Sequence, residues 1–122
     1  MSKSAGDSLN APIKSVDETT ALLIRARSFV ARGWCRYRQA EDSNGDRCYP
    51  FDDRAVAWCA YGALLAAGLQ RFNPPYAWHE HPAIVRFHAA TGGELIDHFN
   101  NRHEIVEPVL AAFDRAIAAG QG

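Results

Sequence analysis

Apolar positions recur at helical spacing in "TTALLIRARSFVARG", where Leu22, Leu23, Ala26, Phe29 and Val30 form one stripe. Ser15 and Glu18 have capping-box spacing ahead of it, and Gly33 is a natural stop, so the pattern predicts a helix over 16–32. The helical period is lost in "WCRYRQAEDSNGDRCYPF". Trp34, Arg36 and Arg38 alternate there with Cys35, Tyr37 and Gln39, as on the two faces of a strand. Asn44-Gly45 is a strong hairpin signal, and a turn on it sets Cys48 opposite Glu41. Pro50, Asp52 and Asp53 then open a nearly all-apolar stretch, predicted as the most buried helix over 53–68. Val56, Cys59, Ala63, Ala66 and Ala67 would give it one face of small side chains. Pro74 and Pro75 interrupt, Pro82 starts a short helix to about Thr91, and Gly92-Gly93 end it. "ELIDHFN" reads as another short helix and "NNRH" as a turn. A last helix over 104–119 turns Val109, Leu110, Phe113 and Ile117 inward, with Pro108 tolerated only in its first turn. The fold expected is mainly α: a single compact domain of four to five helices with a small β-hairpin or ordered loop near 34–49. A loose tail over 1–14 precedes one helical domain over 15–120.

Composition narrows the partners. The 122 residues carry 13 basic and 14 acidic side chains, a formal net charge of −1. Near neutrality gives no global pull toward nucleic acid or membrane. The apolar run Ala55–Leu69 is too short to cross a bilayer, and the first residues lack the apolar core of a secretory signal. Three cysteines, an odd number, fit free thiols in a cytoplasmic protein.

The stretches "ARGWC", "RAVAWCAYGALLAA", "DHFN" and "VLAAFDRAIA" resemble a family of small bacterial and phage proteins known only as a domain of unknown function. The likeness spans most of residues 22–119. The family's relatives carry a Trp-Asn-Asp triplet before the last helix, where this chain has Phe99-Asn100-Asn101. The resemblance implies a helical single domain and brings no catalytic residues with it.

The candidate chemistry is sparse. Cys35, Cys48 and Cys59 form no close ligand pair, so no metal is expected, and packing of reduced cysteines is favoured. "HEIVE" lacks the second histidine of a zinc-protease motif, and "HEH" sits in a Pro-bounded loop. "DSNGDRCYPFDD" has alternate Asp42, Asn44 and Asp46, but a calcium loop needs glycine at its sixth position, where this chain has Arg47, and Glu at its twelfth, where it has Asp53. A cysteine nucleophile at Cys59 would need a histidine base, with His98 and His103 among the candidates. Placed in the second turn of a helix, Cys59 would miss the free N–H groups that activate such a thiol.

The surface signal is a run of arginines without acids, Arg25, Arg27, Arg32, Arg36 and Arg38, interleaved with Trp34 and Tyr37. It suggests contact with nucleic acid or a phosphorylated ligand. Tyr76 and Trp78 in the Pro-rich loop suggest a protein contact, and Asn100 stands in the family triplet. The leading expectation is a protein-binding or self-associating module without a cofactor. Nucleic-acid or phosphate-ligand binding through 25–38 is the first alternative, and a Cys59-dependent enzyme the second. Trp-Cys occurs at both 34–35 and 58–59. With the first pair extended and the second helical, the two are not expected to be a structural repeat, but both would seal one core where the hairpin meets the helix.

Overall fold

A computed structural model describes residues 17–69 and 80–120. The protein is mainly α, with five helices and one short antiparallel strand pair among the described residues. Ser15, the 1–14 tail, and Phe72, Tyr76 and Trp78 of the Pro-rich loop lie outside the described residues.

Helix α1 spans Glu18–Arg32. Its cap is Asp17, whose carboxylate accepts the Thr20 N–H at 2.7 Å. Leu22, Leu23, Ala26 and Val30 are buried as the stripe requires. Phe29 is half-buried and lies 4.8 Å from the Trp58 ring. Gly33 ends the helix in extended backbone, not in the left-handed conformation of a glycine stop. A side chain there would collide with the Val56 carbonyl, so the glycine serves close approach.

The next segment departs from the predicted strand. Residues 36–39 bend instead of alternating, and Tyr37 has φ 71°. Strand β1 is Ala40–Glu41 and pairs antiparallel with β2, Ala57–Trp58. The Asn44-Gly45 turn is present, with Gly45 at φ 82°. It is a three-residue loop closed by Asp42 N to Asp46 O at 2.9 Å, which is the bulged form of the hairpin. Arg47, not Cys48, therefore stands opposite Glu41, and the predicted register is corrected by one residue.

Helix α2 spans Ala60–Ala67, seven residues shorter at its start than the predicted 53–68. Asp52 caps a turn instead of a helix, accepting the Arg54 N–H at 2.8 Å. Val56 is exposed and off the helix, so the small-residue face is led by Gly62, where a side chain would strike the Gln39 carbonyl. Gly68, at φ 137°, terminates it.

Helix α3, Pro82–Ala90, starts with His81 Nδ1 accepting the Ala83 N–H at 3.0 Å. Gly92 and Gly93, both at positive φ, end it. Helix α4, Ile96–Arg102, absorbs most of the predicted "NNRH" turn. Helix α5, Glu107–Ala119, begins three residues later than expected, with Pro108 in its first turn. Phe87 and Phe113 lie 4.6 Å apart at the centre of the core, beside Leu23 and Leu64. No helix among the described residues is long and apolar enough to cross a membrane.

Candidate functional site

The two Trp-Cys dipeptides meet. Trp34 and Trp58 form a parallel bridge, with Cys35 N donating to Trp58 O at 3.3 Å and Trp58 N to Gly33 O at 3.0 Å. Both pairs are extended, because α2 starts only after Cys59. The expectation of two different surfaces is thus corrected. The shared core seal stands, since Cys35, Trp58 and Cys59 are all buried.

Asn100 ties this junction together from α4. Its Oδ1 accepts the Trp34 Nε1–H at 2.8 Å and the Ala60 N–H at 2.9 Å. Its Nδ2 donates to Cys35 O and to Asn101 Oδ1. A buried asparagine with both amide atoms engaged in this way has no capacity left for a ligand. Asn101 Oδ1 also accepts the Tyr37 N–H at 2.9 Å, which fixes that residue's left-handed backbone. Since Asn101 Oδ1 faces two donors, its Nδ2 points away, and it has no partner among the described residues.

Beside this junction lies a groove of about 610 Å³, a size that suits a small ligand. The loop supplies Tyr37, Arg38 and Gln39, the hairpin and following turn supply Arg47, Tyr49, Asp52 and Arg54, and α4 supplies Asp97 and Asn101. Cys48 and Cys59 also line it. Arg54 is neutralised by Asp52 at 2.9 Å. The Arg54 hydrogen bonds pull the Asp52 carboxyl down to about 2. Arg38 donates to Gly45 O, which leaves its charge unopposed by that bond. Arg47 and Asp97 have no hydrogen bond or ion pair among the described residues. Tyr37 and Tyr49 are 66% and 70% exposed, and Phe51 stacks on Tyr49 at 5.6 Å.

The thiols are muted. Cys59 is the cap of α2, and its Sγ accepts the Gly62 N–H at 3.3 Å. This corrects its predicted place in a second turn and brings it to the N-terminus that would activate it. Burial outweighs that gain and pushes the thiol up to about 11. Burial pushes Cys35 up to about 12. No histidine lines the groove among the described residues. His98 is exposed on Glu94 at 2.7 Å, and the His103 ring lies edge-on to Phe99 at 4.7 Å. Burial lowers the His103 pKa, with Arg102 adding to it. All three cysteines are unbridged, and no cluster of metal-ligating side chains is present among the described residues.

The arginine run does not make one face. Arg25 donates to Ala67 O, Arg36 to His103 O, and Arg27 pairs with Asp114. Arg32 lies 5.5 Å over Phe29 and 5.6 Å over Trp58. Of the run, only Arg38 lines the groove.

A family profile matches residues 14–119. The chain belongs to DUF6197, a family of unknown function. No curated protein and no solved structure matches it. In this DUF6197 chain, Asn100 and Asn101 hold the loop that carries Tyr37, so the triplet's place in the fold is structural support for one wall of the groove. The quoted stretches had pointed to that triplet. Arg47, Arg54 and Asp97 were missed, because only the fold brings the hairpin and α4 to one groove.

Proposed function

We propose that this DUF6197 chain is a non-catalytic binding module that takes its partner in the groove between the 37–54 segment and α4. One observation carries the reading. An exposed tyrosine in left-handed backbone shares one cavity with an arginine and an aspartate whose side chains have no partner among the described residues. Backbone strain and charged groups free of intramolecular partners, gathered in a concave site, are features of recognition surfaces. The muted Cys59 thiol, with no histidine lining the groove among the described residues, weighs against a cysteine enzyme.

A second reading, contact with a protein partner or a second copy, is favoured by the exposed Tyr49-Phe51 stack and by the exposed Val56. Three unbridged thiols support a reducing, cytoplasmic setting. Nucleic-acid binding through 25–38 has less support, because most of those arginines are engaged within the protein.

The test is a ¹⁵N NMR screen of the full chain against aromatic acids, amines, short peptides and nucleotides. Shifts gathered on Tyr37, Arg47 and Asn101 are expected for at least one class. Silence of these residues toward every class defeats the reading. Sedimentation over a range of protein concentrations separates self-association from binding of a different partner.

A further inference from the structure

The groove offers three kinds of recognition at once, and together they define a ligand. The first is a charge. Arg54 is cancelled by Asp52, but the Arg47 guanidinium is free of hydrogen bonds and ion pairs among the described residues. Arg38 bonds only a neutral carbonyl with one nitrogen. Guanidinium groups with open donors bind a phosphate or carboxylate in preference to a neutral group.

The second is a pair of rings. Tyr37 and Tyr49 both line the groove and are largely exposed. Phe51 does not line it but stacks on Tyr49 with only 10° between the ring planes. The Arg36 guanidinium lies 5.1 Å from the Tyr37 ring centre. Each ring is thus braced by a neighbour that is not part of the lining. Rings braced in this way lose little freedom when a flat ligand stacks on them.

The third is a polar edge. Asn101 Nδ2 is an open donor, and the Asp97 carboxylate is an open acceptor on the same helix, four residues before it. A donor and an acceptor on one helix face can read the edge of a heteroaromatic ring that carries an amino group.

We infer that the groove binds a nucleoside monophosphate with an amino-bearing base, its phosphate at Arg47 and Arg38, its base against Tyr37 and Tyr49, and its amino edge at Asp97. This deepens the binding-module reading and rests on it. A polymer fits less well, because arginines 25, 27 and 36 are engaged inside the protein and the net charge is −1. Asp97 in the lining also opposes a longer phosphate chain.

The experiment is calorimetric titration of the full chain with AMP, GMP, CMP and UMP, with adenosine, and with inorganic phosphate, paired with NMR mapping. Single-site binding of an amino-bearing monophosphate is expected, with UMP weaker and the shifts centred on Tyr37, Tyr49 and Asn101. Removing the phosphate, as in adenosine, should weaken binding by about tenfold or more. Tyr49→Ala should weaken it by about tenfold, and Arg47→Glu should abolish it. Both side chains are exposed, so folding is retained and circular dichroism checks it. Asp97→Asn should erase the preference against UMP.

The inference is overturned if no monophosphate binds at millimolar concentration. Phosphate alone binding as tightly as AMP, shifts outside the groove, or indifference to Arg47→Glu would also overturn it. An oligonucleotide that binds far more tightly than any monophosphate, with a steep salt dependence, overturns it in favour of a polymer. If other compounds in the screen shift the groove residues while the monophosphates do not, the binding-module reading survives and this inference fails.

Discussion

Asn100 is the residue on which the Trp-Cys junction depends. Removing its amide would strand the Trp34 indole N–H, the Ala60 N–H and the Cys35 carbonyl in a buried site. Each stranded group costs about 1–3 kcal/mol. Asn100→Ala should therefore lose about 3 kcal/mol or more, seen as a lower urea midpoint at unchanged slope. Asn101→Asp keeps an oxygen for the Tyr37 N–H and should change stability by less than about 1 kcal/mol. Equal losses in the two variants would refute the division of roles between neighbours. The thiols make a second residue-scale prediction. Burial raises all three thiols, but Cys35 and Cys59 are buried and pushed up to about 12 and about 11, whereas Cys48 is half-buried. In folded protein, iodoacetamide should label Cys48 first, with the other two reacting at least about a hundredfold more slowly than a free thiol. Fast labelling of Cys59 would reopen the enzyme reading.

At the scale of elements, the arginines gain a physical account. Arg25 on α1 donates to Ala67 O at the end of α2, and Arg36 to His103 O at the end of α4. Arg86 on α3 forks onto Ala116 O and Ile117 O of α5, and Arg115 on α5 returns the favour at Ala90 O of α3. Four helix C-termini thus receive a cation from another element, where the helix dipole and the unpaired carbonyls favour it. Gly120 keeps room for the Arg86 guanidinium. Arg86→Lys cannot reproduce the fork that also reaches Thr20 Oγ1 at 3.0 Å, so it should cost about 1–2 kcal/mol in thermal or urea unfolding. Full retention of stability by the lysine variant would show that charge alone suffices. None of this was visible in the acid-free run, because sequence spacing says nothing about which carbonyls lie across a contact. The helices themselves were more legible. The α1 stripe and the Pro82 start follow from local patterns, and those patterns hold in the fold. The error at α2 has a definite cause. A short apolar run can be strand or helix, and Ala57-Trp58 is taken up by pairing with Ala40-Glu41, which lies earlier in the chain beyond the reach of local periodicity.

At the scale of the whole molecule, the alkaline response comes from the thiols sealed at the junction. Burial pushes Cys35 up to about 12 and Cys59 up to about 11, from an ordinary value of 9.0. Burial also raises the Tyr61 phenol, with Asp97 adding to the effect. Well below pH 9 these groups are protonated whether the chain is folded or not, so they give stability no pH dependence there. Above it, the unfolded chain releases protons that the folded chain retains, and stability falls as pH rises. The decline should begin near pH 9 and continue toward 11–12. Urea unfolding at a series of pH values would show it as a falling midpoint. The double variant Cys35→Ala, Cys59→Ser should flatten the fall, because serine still offers Gly62 N an oxygen and no longer ionises in this range. A decline that starts well below pH 9, or one equally steep in the double variant, would place its origin outside the Trp-Cys junction. The groove meets the same junction through Cys59. A ligand that binds only the folded state therefore raises the midpoint at every pH by mass action, and leaves the alkaline slope unchanged unless it alters the thiols themselves.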